Sequence, residues 1–185
     1  MAIFDLCFEK VIHFEGGYRL HNVPGDRGGM TYAGISRNAW PDWPGWLLID
    51  GGEVQGDRIE AMVRVFFKIH FWDQIQGDII GFQGVAFMLY DFAINAGLRT
   101  SIKVAQRIVG AKPDGILGNE TISKMAAYVT NEKEEKLFMA EFSLAKMTHY
   151  KNICLKDNRR RDDHINSNLK FLCGWINRIE AGYNV

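Results

Sequence analysis

Phe82 to Ala96 is too apolar to lie on a protein surface, and this segment constrains the fold more than any other. Such a helix is buried on all sides, so the rest of the chain must supply elements that wrap it. The surrounding sequence offers them at helical spacing. Asp57 to Trp72 reads as a helix with Ile59, Met62, Val63, Phe66 and Phe67 on one face. Ser101 to Val109 reads as another, and Asn119 is placed to cap a helix through Tyr128. Glu132 to Cys154 reads as a long helix, with a last one from about Asp163 to Ile179. Between these two, Lys156 to Asp163 is a dense charge run. The expected fold is mainly α.

One stretch departs from this pattern. Residues 2–15 form an amphipathic helix that Gly16-Gly17 stops. From Tyr18 to about Gly52 the chain is rich in turn residues, including Pro24-Gly25, Gly28-Gly29, Pro41, Pro44-Gly45 and Gly51-Gly52. It reads as a long irregular loop with room for a short hairpin. A loop of that length inside a compact domain is usually functional. Trp40, Trp43 and Trp46 within it read as anchors to the core, with one of them free to reach a cleft.

Bulk composition narrows the function. The 185 residues carry 22 basic and 22 acidic side chains, a formal charge of zero, which disfavours nucleic-acid binding through bulk electrostatics. A neutral polymer such as a glycan is unaffected by that argument. No apolar run is long enough for a membrane helix, so no membrane insertion is expected. Asp5, Glu9 and Lys10 interrupt the amino-terminal pattern, so it is not a signal peptide and the chain is expected to be made in the cytoplasm. Cys7, Cys154 and Cys173 lack metal-type spacing and read as reduced thiols, with a Cys154–Cys173 bridge after export as the alternative. His13, His21, His70, His149 and His164 are dispersed, which speaks against a zinc site, and no G-x-S-x-G elbow occurs. No cofactor is expected.

The candidate chemistry begins at Glu15. It continues the inward stripe of Phe4, Phe8 and Val11 and falls in the last helical turn, between Phe14 and Tyr18. Burial and the negative end of the helix dipole both favour a protonated carboxyl, as a glycosidase general acid requires. The alternative is a Glu that snorkels to solvent or pairs with Arg19 or Arg27. Glycoside hydrolysis usually needs a second group. Asp26 is the nearest carboxylate in the turn-rich loop, and Thr31 offers a hydroxyl to orient water. Asp26 also reads as a turn residue bonded to its own backbone. Gly28 and Gly29 either let backbone approach a sugar or simply make a turn, and Tyr18 and Tyr32 flank the carboxylates as cleft residues. Arg159-Arg160-Arg161 could meet the acidic stems of peptidoglycan, but Asp157, Asp162 and Asp163 beside it favour a solvated loop.

Glu15-Gly16-Gly17-Tyr18, followed by the run from Pro24 to Ser36, resembles the glycoside hydrolase 108 family of bacterial and phage N-acetylmuramidases, which includes endolysins and proteins once labelled secretion activators. Asp91 to Gly97, Asp114 to Gly118 with Thr121, and Gly174 to Arg178 resemble the peptidoglycan-binding region that accompanies it. The resemblance implies a lysozyme-like helical fold, with a catalytic lobe over residues 1–81 and a helical peptidoglycan-binding lobe over 82–185. It matches Glu15 to the catalytic Glu of E-G-G-Y. The order Glu, Asp, Thr also resembles phage-type lysozymes, although the spacings differ. Asn95, inside the downstream motif, joins the substrate-contact candidates. The implied substrate is the peptidoglycan glycan strand, cleaved at the β-1,4 bond between N-acetylmuramic acid and N-acetylglucosamine.

Three rivals stand beside this reading: a lytic transglycosylase, a chitinase-like enzyme, and a peptidoglycan-binding accessory of secretion or phage lysis without catalysis. Action in the periplasm or cell wall would require a holin or secretion machinery for export.

Overall fold

The computed structural model describes residues 1–22, 29–158 and 168–183. Asp26, Gly28 and Arg159-Arg160-Arg161 lie outside the described residues. Two compact units emerge, one of Phe4–Asp73 and one of Met1–Ile3 with Gln74–Val185. The protein is mainly helical, with a small sheet.

The first unit opens with α1 (Phe4–Phe14). Phe4, Cys7, Phe8, Val11 and Ile12 recur three and four residues apart and are all buried. Phe8 meets Phe67 with ring centroids 6.0 Å apart, and Phe4 meets Trp72 at 5.5 Å. Those partners come from α3 (Asp57–Phe67), which runs on into a π-helical turn at Lys68–Trp72. The helical periodicity from Asp57 to Trp72 therefore holds, with looser winding in the last turn.

The segment read as irregular loop is more regular than its composition suggests. β1 (Leu20–Asn22), β2 (Met30–Tyr32) and β3 (Ile35–Ser36) form an antiparallel sheet in sequence order. A six-residue helix, α2 (Gly45–Asp50), follows. Its Pro44-Gly45 start carries turn residues, which hid it in the sequence. Gly45 is needed there because a Cβ would stand 2.2 Å from the Trp43 ring. Trp43 and Trp46 are buried and meet edge to face at 5.2 Å. The Trp46 indole N–H donates to the Trp40 carbonyl at 2.8 Å, and Trp40 lies edge-on to Phe66 at 4.9 Å. The three tryptophans anchor this segment to α3.

The second unit is built on α4 (Gln83–Ala96), in which every residue from Gly84 to Ala93 is buried. Packed against it are α5 (Leu98–Ile108), α7 (Glu132–Asn158) and α8 (Leu169–Tyr183). The sixth helix, α6 (Asn119–Tyr128), starts from Gly118 as N-cap. Asn119 is thus the first helical residue, not the cap expected from the sequence. The loop before it is organised from inside. Buried Gln106 donates its amide N–H groups to Asp114 Oδ1, the Ile116 carbonyl and Thr121 Oγ1 at 2.9–3.1 Å. It accepts from the Gly115 N–H at 2.8 Å. The bonds from Gln106 and the Ile116 N–H hold the Asp114 carboxyl below the usual carboxylate range. Asp114 and Thr121, prominent in the sequence, therefore shape the loop.

A buried charge cluster ties three helices of this unit. Asp91 is fully buried on α4, with Lys146 Nζ of α7 at 2.6 Å and Arg178 Nε of α8 at 2.6 Å. One turn before Arg178, Trp175 stacks flat on Tyr150 at 4.5 Å. Cys7 and Cys154 are buried and Cys173 is exposed. Among the described residues no helix is long and apolar enough to cross a membrane.

Removing the carboxylate would strand two cations in this interior. Asp91→Ala is therefore expected to lower unfolding free energy by about 3–5 kcal/mol, read from the urea transition. Lys146→Met should cost less, because Asp91 keeps Arg178.

Candidate active site

The geometry of the site follows from how α1 ends. The Gly17 N–H donates to the Ile12 carbonyl at 2.9 Å and the Gly16 N–H to the His13 carbonyl at 3.1 Å. Gly16 and Gly17 have φ of +85° and +78°. This pair of reversed bonds is a Schellman motif with Gly16 at C′, which makes Glu15 the C-cap residue. Its own N–H still donates to the Val11 carbonyl at 2.9 Å. Glu15 is accordingly fixed by backbone at the rim of the core, half-buried.

The sheet then brings a turn onto this helix end. Ala33 N–H donates to the Arg19 carbonyl at 3.2 Å, which ties the start of β1 to the β2–β3 connection. That connection is the two-residue turn Ala33-Gly34, flanked by the Tyr32–Ile35 pair. Both turn residues have positive φ, +47° and +81°, as a type I′ hairpin requires. Gly34 lies against the Glu15 side chain: a Cβ on Gly34 would stand 2.8 Å from Glu15 Oε2. Sequence reading did not single out Gly34, although its place two residues after Tyr32 was a usable hairpin signal.

Thr31 is half-buried on β2, and its hydroxyl donates to the Gly29 carbonyl at 3.3 Å. In the register it pairs with His21 on one side and Ser36 on the other, so the three side chains share one sheet face. His21 and Ser36 were missed as members of this polar row, because strand register is not legible from isolated residues. Gly29 has φ +62°, and the space its missing side chain leaves is taken by Asn38, whose Nδ2 would be 2.9 Å from a Cβ there. The glycine serves that packing contact.

The two tyrosines separate. Tyr18 is half-buried, and burial first, then the charges of Glu60 and Glu9, push its phenol up to about 12. Glu60 on α3 and Glu9 on α1 thus place an acidic field beside Tyr18. Tyr32, expected as a cleft residue, is instead fully buried. Its hydroxyl donates to the Val54 carbonyl at 2.9 Å and its ring stacks on Trp43 at 6.3 Å. Strand alternation explains the correction, since Tyr32 must face the core if Thr31 faces away. Asn95 belongs to the second unit, where it is exposed at the end of α4 and donates to the Asp91 carbonyl at 2.9 Å. Glu15, Tyr18, Thr31 and Gly29 all lie in the first unit.

A helix that ends beside a small antiparallel sheet in a mainly helical unit is the arrangement of a lysozyme-like fold. The comparisons place the chain further. The glycosyl hydrolase 108 model matches residues 8–97, and the model described as "Predicted Peptidoglycan domain" matches residues 100–180. Residues 8–97 thus form a glycosyl hydrolase 108 region, and its pairing with a peptidoglycan domain supports a peptidoglycan hydrolase. Among solved structures, SagA from Brucella abortus is similar in fold, with a TM-score of 0.71 at 22% identity over 98% of this chain and 91% of that one. No curated protein matches the sequence.

The tyrosine environment can be checked directly. In an ultraviolet pH titration, Tyr18 and Tyr150 are expected to ionise only near pH 12. Tyr18→Phe should delete one late-ionising phenol and leave the others. Because the folded value lies above the ordinary 10.0, the stability contributed by neutral Tyr18 is full below pH 10 and is lost as pH rises toward about 12.

Proposed function

We propose that the enzyme is an N-acetylmuramidase that cleaves the β-1,4 bond between N-acetylmuramic acid and N-acetylglucosamine, with Glu15 as general acid. The observation that carries this reading is the placement of Glu15, capped by the Schellman turn, half-buried and seated on the Ala33-Gly34 turn within the glycosyl hydrolase 108 region. A carboxyl held that firmly can deliver a proton to the glycosidic oxygen as the bond breaks, while the departing sugar develops oxocarbenium character. Asp26 is proposed to orient or activate water or to stabilise that positive charge, with the Thr31 hydroxyl assisting. Tyr18, neutral through the working pH range, is suited to donate a hydrogen bond to a sugar oxygen. The 100–180 region would hold the glycan-bearing wall. Action on peptidoglycan implies delivery across the membrane, for which a holin or secretion machinery is the partner class.

Glu15→Gln keeps the shape of the side chain and removes its proton. Lysis of purified sacculi is expected to fall roughly 10²–10⁴-fold, with the folded variant still cosedimenting with sacculi. Lysis at the parental rate by folded Glu15→Gln would remove Glu15 as the acid. Mass spectrometry of the products should show reducing muramic ends. Anhydro-muramic ends would instead identify a lytic transglycosylase, in which Glu15 serves as acid and then base and the muramyl 6-hydroxyl attacks.

A further inference from the structure

A side chain at position 34 has no room while Glu15 stays where it is. The ideal Cβ would sit 2.8 Å from Oε2, 2.9 Å from Cγ and 3.0 Å from Cδ of Glu15. Contacts that short force something to move. The neighbours in question are the far atoms of one flexible side chain, so rotation of Glu15 is the least costly response, and the turn itself can stay in place. The turn is also well fixed: Ala33 is buried, its N–H is bonded to Arg19, and Ile35 is buried behind it.

We propose that Gly34 is a positioning residue that sets the reactive rotamer of Glu15 by offering a bare backbone surface for its carboxyl to lie on. The inference rests on the reading of Glu15 as the acid and adds the element that aims it. The Schellman turn fixes the Glu15 backbone; the Gly34 backbone then provides the seat that defines where the carboxyl ends. A displacement of about 1 Å at a reacting group can cost roughly 10²-fold in rate, so a single methyl group is enough to matter.

Backbone strain is the competing effect, because φ at Gly34 is +81° and alanine is disfavoured there. Gly52 separates the two. It has φ +89° in the same unit, and a Cβ there would meet nothing within 4 Å. Gly34→Ala and Gly52→Ala are therefore expected to lower the melting temperature comparably, whereas only Gly34→Ala lowers kcat, by about 10²-fold at nearly unchanged KM on a soluble peptidoglycan fragment. Glu15→Asp shortens the acid by one methylene and vacates the contact. Adding Gly34→Ala to Glu15→Asp should then cost little further activity, giving strongly non-additive losses.

An unchanged kcat in Gly34→Ala, or additive losses in the double variant, would overturn the proposal. If Gly34→Ala does not fold, the double variant with Glu15→Asp is expected to recover folding, and failure to do so equally overturns it. Loss of activity in Glu15→Gln together with normal kcat in Gly34→Ala sinks only the positioning role. Full activity in Glu15→Gln removes both.

Discussion

The first unit depends on two successive glycines with positive φ, which end α1 and turn the chain back on itself. A residue with a Cβ would resist both conformations, and the Schellman bonds to Ile12 and His13 would be lost with them. Three consequences follow from this one stop. The final buried turn of α1 keeps its carbonyls bonded. Glu15 becomes a cap residue, carried by rigid backbone at a boundary between core and solvent. The chain is redirected into β1, so the hairpin that follows returns to the same helix end and lays Gly34 on the Glu15 carboxyl. Fold and site are set by the same local event.

The second unit is held in a different way. Its central helix is buried on all sides, and apolar packing alone does not choose which neighbour lies where. Asp91 supplies that choice by accepting from Lys146 of α7 and Arg178 of α8, each at 2.6 Å. Buried ion clusters are weak sources of net stability, since desolvation offsets most of the attraction. Their effect is on alternatives: any sliding of α7 or α8 along α4 would bury an unpaired charge. The close approach of α8 is consistent with this register, for a Cβ at Gly182 would stand 3.3 Å from the Phe87 ring.

Much of this architecture was legible because helical periodicity is strong and local. The all-round apolarity of Phe82 to Ala96 located the central helix, and Gly16-Gly17 located the end of α1 on which the proposed site is built. What escaped depended on pairing between distant residues. Tyr32 looked like a cleft residue because aromatic rings near carboxylates suit sugars, yet strand alternation turned it into the core. The α2 helix was hidden by Pro44 and Gly45, whose turn character is real but is overridden by burial of Trp43 and Trp46. The seat at Gly34 required knowing that β2 and β3 form a hairpin that comes back to α1.

Asp91 and Glu15 are similar carboxyl groups in contrasting places, and the one proposed as the acid is the one at a helix end. Asp91 sits in mid-helix, wholly enclosed, with a cation on each oxygen. Any change in its charge would disturb three helices at once, so the fold has committed it to structure. Glu15 stands at a helix end, half-buried, where one side is lined by backbone without a side chain. Catalysis by a general acid needs a firmly held carboxyl and a fixed direction for the proton. In the proposed mechanism the Schellman stop supplies the firm base and the glycine turn the direction.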